Sequence, residues 1–209
     1  MERVLDTYHL RYNPRFPVLV MDEQPVQLFK ETRQPIPATR WHAKRVDYEY
    51  DRAGVANIFM VAEPLSGWRR VFVRERKTKV DWAQVMREIL KENYPDAEKV
   101  ILVCDNLNTH TFGAFYELFD AELARSLARR LEFVYTPKHG SWLNIAENEL
   151  SALTLQCVKG RRFGTIEELR EEVLAWVEQC NTKQKGVLWQ FDCEKARVKL
   201  HALYPKIKN

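Results

Sequence analysis

Two aspartates each follow a short apolar run, and a glutamate follows in a helix-like segment. Val18-Leu19-Val20-Met21 precedes Asp22, and Val100-Ile101-Leu102-Val103-Cys104 precedes Asp105. Glu147 closes the segment Ser141-Trp142-Leu143-Asn144-Ile145-Ala146-Glu147. Continuous apolar runs of this length predict strands buried on both faces. A carboxylate at the end of such a strand loses hydration unless something cationic meets it. Three carboxylates drawn together repel one another, and a divalent metal relieves that repulsion. The pattern points to metal-dependent phosphodiester chemistry. Such chemistry needs an activated oxygen nucleophile and a stabilised leaving oxygen, and two divalent ions about 3.5–4 Å apart supply both. Mg²⁺ suits a few carboxylates completed by water and substrate oxygens.

Each acid has a competitor. Glu23 adjoins Asp22, and strand alternation lets only one of them face a shared site. On a helix, Glu147 and Glu149 each fall about 80° from the centre of the apolar stripe, on opposite sides, so periodicity does not choose between them. Asp22 and Asp105 can also be read as strand-end caps, and Glu147 as a solvated helix residue.

The elements that would position these acids follow from the pattern. Residues 17–21 predict a first strand, and residues 31–50, with Pro35 and Pro37, an irregular stretch. Residues 56–61 and 71–73 predict an antiparallel hairpin turning at Leu65-Ser66-Gly67. Trp82, Val85, Met86, Ile89 and Leu90 form one helical face, with Asp81 as the expected N-cap and Pro95 as the stop. Residues 113–130 predict a helix, and 132–135 a fifth strand. A helix is expected from Ser141, carrying Leu143, Ala146, Leu150, Leu153 and Cys157 inward. Thr165 and Glu168 form a capping box for the next helix. A last helix is expected around 193–204. Three strands then alternating helices and strands predict an α/β fold, with an antiparallel meander followed by further strands and flanking helices.

With 209 residues and 45% hydrophobic content, the chain suits one domain with a real core. The net charge is only +4, but it is unevenly spread. Residues 68–79 and 181–209 are each net +5, as expected of surfaces facing a phosphate backbone, though solvated faces would look alike. Cys104, Cys157, Cys180 and Cys193 lie far apart without metal-ligand spacing, and read as reduced core thiols of a cytosolic protein. No apolar stretch is long enough to span a membrane, and the N-terminus has no signal-peptide core.

Several segments carry a resemblance. Asp105-Asn106-Leu107-Asn108-Thr109-His110, the run Tyr135-Thr136-Pro137-Lys138-His139-Gly140 leading into Ser141–Glu147, Val20-Met21-Asp22-Glu23 and Lys30-Glu31-Thr32-Arg33 resemble the bacterial insertion-sequence transposases of the mariner superfamily. The resemblance runs over essentially the whole chain. It implies an RNase H-like mixed sheet, antiparallel then parallel, and a DDE triad of Asp22, Asp105 and Glu147 binding Mg²⁺ or Mn²⁺, as two ions. The Leu-Asn-x-x-Glu match selects Glu147 over Glu149. Forty-one residues separate Asp105 from Glu147, a spacing longer than in animal members of the superfamily. It further implies cleavage of DNA at transposon ends, transfer of the freed 3′-OH into a TA-containing target, and a homodimer as the active complex.

Relatives carry helix-turn-helix segments ahead of the catalytic domain, whereas 21 residues precede Asp22 here. The expectation is a catalytic domain over 1–209, with 181–209 a basic C-terminal appendage, and a helix-turn-helix that is either supplied by a separate product of a split element or lost by truncation. A bacterial cytoplasmic, nucleoid-associated setting follows. The other readings are an RNase H-like nuclease and a relic that only binds DNA. Candidate DNA contacts are Arg74, Arg76, Lys183 and Lys185 in the basic segments, and Lys138 and His139 before the catalytic helix. Trp142 is expected to be half core and half stacking platform. Asn106 and Asn108 are turn formers or substrate contacts, and His110 either touches DNA or orients Asp105.

Overall fold

The computed structural model of the chain describes residues 1–34, 36–43, 45, 48–138 and 140–204, for 203 the backbone alone. A five-stranded sheet is built from β1 (Val18–Glu31), β2 (Tyr50–Glu63), β3 (Trp68–Arg74), β4 (Val100–Cys104) and β5 (Leu131–Tyr135), in the order β3-β2-β1-β4-β5. The first three strands form the antiparallel meander, and β4 and β5 join it in parallel. The mixed sheet flanked by helices is the RNase H-like architecture that the resemblance implied.

Alternation along the strands sends side chains to two helical layers. Leu19 and Met21 of β1, Phe59 and Val61 of β2, and Leu102 and Cys104 of β4 pack into one core. That core is covered by α2 (Lys79–Glu88), α3 (Gly113–Leu118) and α4 (Ala121–Arg129). Val18 and Val20, with Met60 and Val103, face the other side. There α1 (Glu2–Tyr8), α5 (Ile145–Leu153), α6 (Ile166–Lys183) and α7 (Cys193–Lys199) lie.

Several expected boundaries move. β1 does not stop at Met21 but runs on through Asp22 and Pro25 to Glu31. Pro25 is tolerated because β4 pairs with β1 only over Val18–Val20, so beyond that level one edge of β1 has no ladder for an N–H to join. The cap of α2 is Thr78, not Asp81. Thr78 accepts from the Asp81 N–H and the Asp81 carboxylate takes the Thr78 N–H, a reciprocal capping box that places Asp81 at the third helical position. The 113–130 stretch is two helices, because the Asp120 side chain caps α4 and restarts the helix. The helix expected from Ser141 begins at Ile145, after a 3₁₀ turn over Ser141–Leu143. The last helix ends at Lys199, and a further 3₁₀ turn follows over His201–Leu203. Helix α1 was not signalled, since seven residues give little periodicity. Cys104 and Cys157 are core thiols, whereas Cys180 and Cys193 are only half-buried. Among the described residues no helix is long and apolar enough to cross a membrane.

Candidate active site

Parallel pairing brings the two aspartates level. Val20 pairs with Val103, 83 residues further on, and Asp105 is also 83 residues beyond Asp22. Both positions continue the alternation that faces α5. Glu147 stands in the first turn of α5, and its charge is felt at Asp22. The Asp22 carboxyl is pushed up to about 6, first by burial, then by the charges of Asp105, Glu23 and Glu147, against a lowering hydrogen bond from the Glu23 N–H. That N–H donates to Asp22 Oδ1 at 2.8 Å.

Alternation also separates the competitors. Glu23 faces the opposite layer, where its carboxylate meets His110 Nε2 at 2.7 Å. His110 is fully buried beside Trp82. Its Nδ1 lies 2.8 Å from Asp105 Oδ1 and 3.2 Å from the Asp105 carbonyl oxygen. Both ring nitrogens face acceptors, as an imidazolium requires. Burial opposes that charge, but hydrogen bonds with Asp105, Cys104 and Glu23 outweigh it and hold the ring at about 12. Tyr135 fixes the backbone at this point by donating its hydroxyl to the His110 carbonyl at 2.8 Å. Of the two roles expected for His110, contact with Asp105 is the one the geometry makes.

Glu149 is turned into a bidentate pair with Arg69 of β3, Nε to Oε2 at 2.8 Å and Nη2 to Oε1 at 3.0 Å, both side chains buried. Arg69 is therefore internal, not part of a basic surface. Its neighbours in the basic segment are also engaged. Arg70 meets Glu88 and Glu92, Arg74 meets Glu88, and Lys79 meets Glu117. Arg76 and Lys77 remain exposed, and Arg76 lines a cavity with Lys30, Gly54 and Gly164. Lys183, the last residue of α6, and Lys185, whose backbone lies against Gly67 of the β2–β3 turn, are both exposed. The segment that follows them docks on the β2–β3 turn, with Val187 N–H donating to the Pro64 carbonyl at 2.7 Å.

Next to Asp105 opens a cleft of about 710 Å³ lined by Asn106, Leu107, Thr136, Pro137, Lys138 and Ser141. Asn106, Asn108 and Lys138 are exposed, Trp142 is 44% exposed, and His139 lies outside the described residues. The turn into α5 is tight. Gly140 N–H donates to the Pro137 carbonyl at 2.8 Å, and a Cβ on Gly140 would stand 2.5 Å from Pro137 Cγ.

Asn144, quoted in the motif but given no role by sequence reasoning, caps α5 by accepting the Ala146 N–H on its own Oδ1 at 3.1 Å. An asparagine directly before an apolar helical stripe is a cap signal that could have found it. Ile145 N–H donates to Tyr8 Oη, and Glu147 N–H to the Asn144 carbonyl. The first N–H groups of α5 are thus satisfied internally, and they offer no phosphate cradle.

The donor chemistry fits a hard divalent cation. Among the described residues no Lys or Arg pairs with Asp22 or Glu147, and the buried Oδ1 of Asp105 has His110 Nδ1 beside it at 2.8 Å. Among the described residues no three His, Cys, Asp or Glu side chains stand close enough together to hold a metal ion by themselves. An open set of carboxylates completed by water and substrate oxygens is what Mg²⁺ uses.

A family model described as DDE superfamily endonuclease matches residues 17–170. Among solved structures, the chain is similar to the Mos1 mariner paired-end complex with Mn at 13% identity and TM-score 0.53, covering 88% of this chain and 57% of that one. The Mos1 strand transfer complex matches at 13% identity and TM-score 0.53, covering 90% and 62%. A pre-cleavage Mos1 transpososome matches at 13% and 0.51, covering 90% and 65%. At these identities the likeness is one of fold. The chain spans less than two thirds of the length of those proteins. No curated protein matches it.

Proposed function

The chain belongs to the DDE superfamily endonucleases, and from that premise we propose that it is the catalytic unit of a DNA transposase, with Asp22, Asp105 and Glu147 as its catalytic and metal-binding residues. The observation that carries this reading is the shared level of Asp22 on β1 and Asp105 just past the end of the adjacent parallel β4, with Glu147 acting on Asp22 from the start of α5. Mg²⁺ or Mn²⁺, bound as two ions, would activate the attacking oxygen and stabilise the leaving one.

The chain's own residues do the rest. Asp22 is half-buried and its charge is opposed by its neighbours, so ionised it favours a cation. Asp105 is backed by His110, which leaves its outer face to the cleft. The cleft receives the DNA strand, where the exposed Lys138 ammonium meets a phosphate and Asn106 borders the reacting group. Water attacks first and frees a 3′-hydroxyl at the transposon end. That hydroxyl, held at the same acids, then attacks the target phosphodiester, expelling a target 3′-oxygen as it joins to the 5′-phosphate. Target choice at TA, a homodimeric complex, end recognition by a separate helix-turn-helix product and a nucleoid setting belong to the same proposal.

The test is paired. Purified chain with Mn²⁺ is assayed for nicking of a duplex, and for joining a pre-cut end to plasmid. Asp105→Asn should abolish Mn²⁺ binding in calorimetry and both reactions while keeping the wild-type circular dichroism spectrum. Unchanged metal affinity in that variant would remove the assignment.

A further inference from the structure

Asn144 is a buried amide, 2% exposed, at the junction of β1 and α5. Its Nδ2 donates to the Met21 carbonyl at 2.8 Å and lies 3.4 Å from Asp22 Oδ2. Its Oδ1 accepts the Ala146 N–H, and its own carbonyl accepts the Glu147 N–H at 3.0 Å. One side of the residue therefore holds the backbone that carries Asp22, and the other holds the turn that carries Glu147.

The partners fix which way the amide points. A carbonyl oxygen on β1 requires a donor, and a helix N–H requires an acceptor. Only a carboxamide offers both at one side-chain end, and glutamine is one carbon too long for the cap. Aspartate, serine and threonine would cap α5 equally well, but an ionised aspartate has no donor for the Met21 carbonyl and a hydroxyl is too short to reach it. The residue type thus exceeds what capping alone demands. The surroundings are rigid too: Tyr8 Oη donates to the Leu143 carbonyl at 2.8 Å and accepts from the Ile145 N–H at 3.3 Å, bracketing Asn144 on both sides.

We infer that Asn144 is a positioning residue that fixes Asp22 and Glu147 relative to one another through the carboxamide it places between β1 and the first turn of α5. The inference rests on the triad proposed above. It adds that the distance between the first and third acids is set by this single buried side chain, not by the general packing of α5. Groups that orient metal-binding side chains typically change metal affinity or activity about 10–100-fold when removed. Small displacements of a reacting constellation cost similar factors.

The experiment compares Asn144→Ser, Asn144→Ala and Tyr8→Phe with wild type by urea unfolding, Mn²⁺ calorimetry and nicking kinetics. Serine keeps the cap and alanine loses it, so Asn144→Ser should unfold at higher urea than Asn144→Ala. Both lack the donor to β1, and both should bind Mn²⁺ about tenfold more weakly and show kcat reduced roughly 10–100-fold, with KM for DNA unchanged. Tyr8→Phe should cost stability while leaving Mn²⁺ affinity unchanged. Asn144→Asp, equal in size and still a cap, is the second variant should the serine chain fail to fold, with the same loss of kcat expected. Wild-type affinity and kcat in Asn144→Ser would overturn the inference and leave Asn144 a cap. A change confined to KM would also overturn it. If wild-type Mn²⁺ binding is indifferent to Asp105→Asn, the triad reading itself falls and this inference with it.

Discussion

Glu23 and His110 meet through a 2.7 Å contact between Oε1 and Nε2, both side chains almost wholly buried, and this contact ties the two aspartate-bearing segments together from behind. Glu23 sits one residue after Asp22 and points to the opposite face, and His110 reaches back to Asp105 through its other nitrogen. Breaking a buried ion pair by removing one partner costs about 3–5 kcal/mol, because the other charge is left uncompensated. His110→Gln should therefore lower the urea midpoint strongly. The ring's pKa is raised on folding, to about 12 from 6.5. Its contribution is then fully present below pH 6.5 and is lost as pH rises towards 12. The stability gap between wild type and His110→Gln should narrow between pH 7 and pH 10; a gap that widens would contradict the buried imidazolium.

Asp22 should show the opposite relation between function and stability. Its carboxyl is raised from 3.8 to about 6, so folding favours the protonated form. The associated stability is present below pH 3.8 and is lost as pH rises through 6, which leaves the ionised group a burden at neutral pH. Asp22→Asn should stabilise the metal-free chain at pH 7.5 by at most about 3 kcal/mol, with the advantage fading below pH 4. It should also abolish nicking. Thermal unfolding at pH 4 and pH 7.5 without metal is the measurement, and a destabilised Asp22→Asn at pH 7.5 would show that the carboxylate has a cationic partner.

The two glutamates of α5 should separate cleanly. Glu147 carries no ion pair among the described residues, whereas Glu149 holds Arg69 in two short hydrogen bonds. Glu147→Gln should abolish joining of a pre-cut end with little change in stability. Glu149→Gln should cost about 3–5 kcal/mol by leaving the Arg69 guanidinium partly unpaired, yet joining per folded molecule should persist. The reverse pattern would mean that the third acid is misassigned.

Much of this was legible in the sequence, for identifiable reasons. Val18–Met21 and Val100–Cys104 are apolar runs long enough to announce buried strands, and the stripe Leu143, Ala146, Leu150, Leu153 and Cys157 is buried as its spacing predicts. Long-range polar partnerships were not legible. Arg69 and Glu149 lie 80 residues apart, and Glu23 and His110 lie 87 apart. No local pattern marks such pairs, so Arg69 read as surface charge and Glu23 as a rival to Asp22. The full length of β1 was hidden because its apolar run ends at Met21, and the Pro25 beyond it is harmless only where the neighbouring strand has already ended.

DNA binding by the isolated chain should be weak and salt-sensitive, and the structure ranks its basic residues. Arg74 is held by Glu88 at 2.8 Å and lies against the Phe72 ring, while Arg76 and Lys138 are exposed. Lys138 lines the cleft beside Asp105, whereas Lys183 and Lys185 lie by the β2–β3 turn and do not line it. A free lysine or arginine that meets a phosphate displaces a counterion, and each such contact steepens the fall of log affinity with log salt by about one. Lys138→Glu and Arg76→Glu should weaken binding to all duplexes alike and flatten that slope. Arg74→Glu should act mainly on stability, since it places a second carboxylate against Glu88. Lys183→Glu and Lys185→Glu should have the smallest effect on a short duplex that only fills the cleft. Fluorescence anisotropy of one labelled duplex at two salt concentrations measures all of these. A loss at Lys185→Glu exceeding that at Lys138→Glu would move the DNA path away from the cleft and onto the β2–β3 turn.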